Sequence, residues 1–277
     1  MAASRAGTPT LTLPHRGGGK CLLVALAAAL LAGCATPPTP ADAAARLLAP
    51  EGKLRVALLA GNPALVREVT GERTGIAVDL GRALARELGA EFAPVSYANV
   101  PAVLDSAARG EWGVAFIAFD PARTQVRFAR PYMALENTLL VTAGSPIQEL
   151  ADMDRRGRRI VVQSGDAADL FLTRALKAAR LVRTTHAAAP EILTRGEADA
   201  YAANRLRLTE VAPSLPGSRV LPGRFLALPQ AIAVPSGREA ALAYLNEFVE
   251  RAKATGAVQS AIDRARIPGA VVAQPVR

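Results

Sequence analysis

Cysteine and histidine are almost missing from this chain of 277 residues, and their scarcity excludes much chemistry. The only cysteines are Cys21 and Cys34, both near the N-terminus, so the body can build neither a disulfide framework nor a thiolate metal cluster. The only histidines are His15 and His186. Paired-histidine zinc chemistry is therefore excluded, and a serine triad would have His186 alone to draw on, with no nucleophile elbow beside it. His186 reads as a loop histidine. Aromatic residues are few, at 4%. None is interleaved in the basic run "RRGRR" (155–159), which reads as a solvated turn and not as a nucleic-acid surface. No P-loop and no G-x-G-x-x-G fingerprint is present. The sequence thus calls for no cofactor and no metal.

A long apolar run is also lacking. The stretch "CLLVALAAALLAG" offers about a dozen apolar residues, short of the roughly 20 that span a bilayer. It follows a basic segment without acids and ends in small residues before Cys34, the three-part form of an export signal. The tetrapeptide Leu31-Ala32-Gly33-Cys34 resembles a bacterial lipobox, which implies cleavage before Cys34 and attachment of lipid to its sulfur. Residues 1–33 are then a signal peptide and 34–52, rich in Pro and Ala, a tether. The resemblance implies a mature chain held in the periplasm as a membrane-anchored lipoprotein. That placement argues against a nucleic-acid partner despite a formal charge of +9. Without Arg5, Arg16 and Lys20 the 33 basic residues become 30 against 24 acidic ones, an excess of only +6.

What the body does contain is a regular alternation. Apolar runs of strand length ("LRVALLA", "EFAPVSY", "WGVAFIAF") alternate with helical patterns, such as the stripe Leu80, Leu84, Leu88 and the segment 99–110 with Asn99 as a possible cap. A second series follows: "RIVVQ", "AADLFLTRALKAA", "LVRTT", "PEILTRGE", "ADAYAA", then "FLALPQAIAV" and two more helices. Alternation of this kind predicts an α/β fold with largely parallel sheets. The two series predict two lobes: residues 53–138 with 230–277, and residues 139–229. In open parallel sheets ligands sit at the carboxyl ends of the strands. The polar residues just past those ends are Asn62, Asp120, Arg123, Ser164, Asp166, His186 and Asn204.

Three pieces then occur in order: Gly75-x-x-x-Asp79-Leu80, Gly110-x-Trp112, and Arg123…Phe128-x-x-Pro131-Tyr132. With them, over roughly residues 53–270, the chain resembles the family 3 extracellular solute-binding proteins of ABC importers. The resemblance implies a type II periplasmic-binding-protein-like fold, a ligand cleft between the lobes, closure about a hinge, and weak docking of a monomer on a membrane permease. It implies that Arg123 clamps a ligand carboxylate, for which a guanidinium offers a matching fork of donors. Arg127 and Arg130 read as solvated scaffold. Asn62 and Asp120 join Arg123 on the first lobe, while Asn204 and Asp166 face them from the second.

The chain also departs from the family pattern. The gap from Arg123 to Val126 is one residue short, and Ala129 replaces the usual Ser or Thr. "AGNPAL" lacks an aromatic platform. Asn204 stands where amino-acid binders present an Asp to the ligand's ammonium, and an amide cannot neutralise that charge. Asp166 occupies a turn where the family offers Ser or Thr; it reads as a helix N-cap, or else as a replacement ammonium partner. The expected ligand is a small polar, carboxylate-bearing solute, an amino acid or a relative, with recognition of an α-amino group left open. Rival readings are a dehydratase-like enzyme using Asp120, Asp166 or Glu136 for proton transfer, and a sensory or accessory protein. Of these the binding protein is preferred and no catalytic residue is assigned.

Overall fold

The computed structural model describes residues 39–60, 62–69 and 71–274. The lipidation residue Cys34 and the leader lie outside the described residues. Part of the stretch expected as a tether folds instead. Helix α1 (Pro40–Leu48) starts with a capping box, in which Thr39 accepts from the Asp42 backbone and Asp42 returns the bond. Its Ala44 and Leu48 are buried in the core. The helix ends against Gly113, where a β-carbon would stand 2.0 Å from the Leu48 carbonyl oxygen. Only glycine admits that approach.

In the first lobe, strand β1 (Lys53–Leu59) lies between β4 (Glu91–Tyr97) and β5 (Val114–Ala118), parallel to both. The short hairpin β2 (Arg67–Val69) and β3 (Glu72–Thr74) stands apart from this sheet. Strand residues alternate between faces, and both faces are covered, hence the unbroken apolar runs. Val56, Leu58 and Phe116 join helices α2 (Ile76–Glu87), α7 (Leu242–Ala254) and α8 (Ala257–Ala265). Ala57, Ala115 and Ile117 join Val103 of α3 (Val100–Ala107) and the buried Trp112. The predicted cap of α3 is present: Asn99 accepts from the Ala102 backbone at 2.9 Å.

The second lobe repeats the scheme. Strand β7 (Arg159–Gln163) lies parallel between β8 (Arg180–Thr184) and β9 (Ala200–Asn204). Ile160, Val162 and Ala202 face α4 (Ala167–Ala175), while Val161 and Tyr201 pack with α5 (Ala189–Thr194) and Leu208 of α6 (Arg205–Val211). The hydrophobic cores of the two lobes are thus separate.

Two long antiparallel strands join them: β6 (Val126–Val141) and β11 (Leu226–Pro235). β11 pairs with β5 of the first lobe and β6 with β9 of the second, and the two pair with each other, giving the order β4-β1-β5-β11-β6-β9-β7-β8. The pairs are parallel toward the outer edges and antiparallel around the two long strands. The β6–β11 register shifts on either side of Ala231, where Pro131 lies opposite. A proline without an amide hydrogen is tolerated at such an irregularity. The two-residue β10 (Arg219–Val220) and β12 (Ala270–Val272) pair with β6 as well.

Candidate ligand cleft

The carboxyl ends of the strands from both lobes converge on one cavity of about 210 Å³. Asn62 enters from the loop after β1 and Ala118 from the end of β5; Asn137 and Gln230 come from the two crossing strands. Asp166, His186 and Asn204 come from the second lobe. A second opening of about 300 Å³ shares Asn62, His186 and Asn204 and adds Arg207 and Glu210. Larger hollows occur elsewhere, one of about 330 Å³ beside Arg67, Asp79 and Arg264 and one of about 380 Å³ beside Arg224 and Val271. Neither gathers polar groups from both lobes at strand ends, the placement expected of a ligand site in this sheet type.

Each polar side chain of the cavity except His186 is held by a backbone partner. Asn62 accepts from the Ala64 backbone at 3.1 Å. Asn204 caps α6, accepting from the Arg207 backbone at 2.9 Å. Asp166 caps α4, accepting from the Asp169 backbone at 2.8 Å, so it is an N-cap and a cavity residue at once. Burial pushes the Asp166 carboxyl above the usual carboxylate range, against the opposing pull of the Asp169 and Ala168 backbone N–H groups. Asn137 and Gln230, nearly inaccessible, each donate through the amide nitrogen to a carbonyl two residues back, Leu135 at 3.3 Å and Leu228 at 3.4 Å.

His186 lies just past β8, as its loop reading required, but it also lines the cavity. Its ring nitrogen Nδ1 shares a hydrogen bond with the Tyr201 hydroxyl, and its backbone donates to Gln163 Oε1 at 2.7 Å. Burial, and the Arg207 charge after it, pull its pKa below the ordinary 6.5. Tyr201, raised by burial, stays protonated.

Among the sequence-predicted residues, Asn62, Asp166 and Asn204 meet in the cavity; Arg123 and Asp120 do not line it. Arg123 Nη1 donates to the Ala118 carbonyl at 2.8 Å, and its Nε lies 3.5 Å from Asp120. The guanidinium thus touches the cavity wall through one N–H on the Ala118 carbonyl. Glu136, another candidate acid, pairs with Arg224 at 2.7 Å and Arg205 at 3.4 Å and is outside the cavity. Sequence reasoning left out Asn137 and Gln230. The signal for Gln230 was a single polar residue in the otherwise apolar strand β11, where an unpaired amide is costly; Asn137, between Glu136 and Thr138 on β6, carries no such signal.

Over residues 54–264 the chain matches the sequence profile of the bacterial extracellular solute-binding proteins, family 3. No curated protein matches it. Its fold is that of solved two-lobe binding proteins at low identity. A putative binding component of an ABC transporter from Wolinella succinogenes, complexed with lysine, is 22% identical with a TM-score of 0.63, covering 77% of this chain and 95% of that one. A mutant of ArgBP from T. maritima is 22% identical with a TM-score of 0.58, covering 82% and 99%. An ancestral amino-acid-binding protein, a precursor of cyclohexadienyl dehydratase, is 23% identical with a TM-score of 0.59, covering 77% and 95%.

Proposed function

Since the chain belongs to the family 3 bacterial extracellular solute-binding proteins, we propose that it is a lipid-anchored receptor outside the cytoplasm. It captures a small polar solute of amino-acid size and hands it to the permease of an ABC importer. The observation that carries this reading is the cavity itself: polar groups on strand ends of both lobes converge on a volume of about 210 Å³. The lobes have separate cores and are joined by β6 and β11, the arrangement that permits closure by a hinge. A solute touching both lobes favours the closed form by its extra contacts there. Arg123 contributes one N–H to the Ala118 carbonyl, so the reading rests on the cavity's amides and Asp166 and not on a guanidinium clamp.

The anchor is supported by the lipobox resemblance at Cys34, and replacing Cys34 by Ala should release the protein from membranes into the soluble periplasmic fraction. The receptor role is tested by thermal unfolding against a panel of small polar solutes. A bound ligand stabilises in proportion to the logarithm of its concentration over its dissociation constant, about 2.7 kcal/mol at a hundredfold excess. The expected result is a concentration-dependent rise in Tm with the solute recovered unchanged. Solute consumption would instead favour an enzyme, for which Asp166 with its raised pKa and His186 are the groups at hand.

A further inference from the structure

Resting on the receptor reading above, we propose that the cleft selects a small cationic, amine-bearing solute that lacks a carboxylate, its ammonium held by Asp166 and the amide oxygens of Asn137 and Gln230. The backbone partners decide which end of each amide is left for a ligand. Asn137 and Gln230 use their nitrogens on the Leu135 and Leu228 carbonyls, which turns the oxygens over as acceptors. Asn62 and Asn204 use their oxygens on the Ala64 and Arg207 backbones, which turns the NH₂ groups over as donors. An ammonium offers three donors and no acceptor. It fits a carboxylate with two neutral oxygens, while the two neutral NH₂ groups fit an uncharged acceptor such as a carboxamide or hydroxyl.

The charge balance points the same way. Among the described residues lining this cavity, Asp166 is the one formal charge at neutral pH. Arg123 stands outside that lining, gives one N–H to the Ala118 carbonyl and has Asp120 3.5 Å away as its counter-charge. Arg207, in the adjoining opening, is paired with Glu210 at 3.2 Å. His186 is kept neutral by burial. A ligand carboxylate would enter a partly desolvated space whose lining holds an anion and no cation, where repulsion is only weakly screened. An ammonium enters the same space attracted. Amino amides and amino alcohols have the required pair of ends.

The test is calorimetric titration of the full mature protein with matched probes: L-alaninamide against L-alanine and L-lactate, L-prolinamide against L-proline, and L-lysinamide against L-lysine. At least one amide should bind at least about tenfold more tightly than its acid, as loss of a charge-assisted hydrogen bond implies. Asp166→Asn keeps the N-cap oxygen, so it should unfold at nearly the wild-type temperature yet lose the preference and at least about tenfold in amide affinity. An acid binding more tightly than its amide would overturn the inference and leave the receptor reading standing. So would binding of another solute class from the wider panel while every amide fails. Amide preference unchanged in Asp166→Asn would remove Asp166 from the site. No binding by any small polar solute would overturn the receptor reading and this inference together.

Discussion

Tyr132 and His186 are residues whose surroundings make sharp predictions. Tyr132 is fully buried edge-on to Phe116, and its hydroxyl finds no hydrogen-bond partner among the described residues. A buried unsatisfied hydroxyl costs about 1–3 kcal/mol, so Tyr132→Phe should raise the denaturation free energy by about 1 kcal/mol; chemical denaturation will show it. His186 has a folded pKa below its unfolded 6.5 because burial disfavours the imidazolium. As pH falls through 6.5 the unfolded chain takes up a proton that the folded chain resists, so His186 costs stability on acidification. Its share of the slope is at most about 1.4 kcal/mol per pH unit. Compared with His186→Asn, wild type should therefore lose stability faster between pH 7.5 and 5.5, read from Tm against pH. Arg123 shows the limit of sequence at this scale. Its position after β5 was legible, but its hydrogen bond to the Ala118 carbonyl depends on how the turn at 119–123 folds back.

At the scale of elements, α1 and α6 tie parts that the periodicity shows as unrelated. The stretch 40–48 looked like a tether because it follows a Pro-rich segment and is short. It folds because Leu48 fits the first core and Gly113, distant in sequence, leaves room for its carbonyl. Gly113→Ala would place a β-carbon 2.0 Å from that oxygen, and α1 should be displaced at a cost of about 1–3 kcal/mol. Amide exchange across residues 40–48 should then rise selectively. Most strands and the longer helices, by contrast, were legible to within a few residues, because both sheet faces are covered and the stripes are continuous; β6, with its charged residues, was not. Helix α6 is different again: Leu206 packs in the first lobe's core and Leu208 in the second's. Arg205 at its start pairs with Glu136 on β6, close against Gly269. Glu136→Gln removes the charge from a mostly shielded cluster with Arg205 and Arg224 and should cost about 1–2 kcal/mol, after allowance for the exposed Arg224. Denaturant titration will register it.

For the whole molecule, two separate cores, two crossing strands and a cavity between strand ends make one device. The two-lobe α/β architecture could be read from the alternation of elements, and the family from three short pieces in order. The composition of the cleft could be read only in part. Gln230 sits as a single polar residue in the apolar run of β11 and Asn137 between Glu136 and Thr138 on β6, and their meeting with Asn62, Asp166 and Asn204 is a product of the tertiary fold. The most direct test is amide hydrogen exchange with and without the solute that raises Tm. The account predicts joint protection of residues 62–66 and 118–123 in the first lobe with 165–169 and 204–207 in the second. Protection confined to one lobe, or centred on the hollow beside Arg67, Asp79 and Arg264, would contradict it.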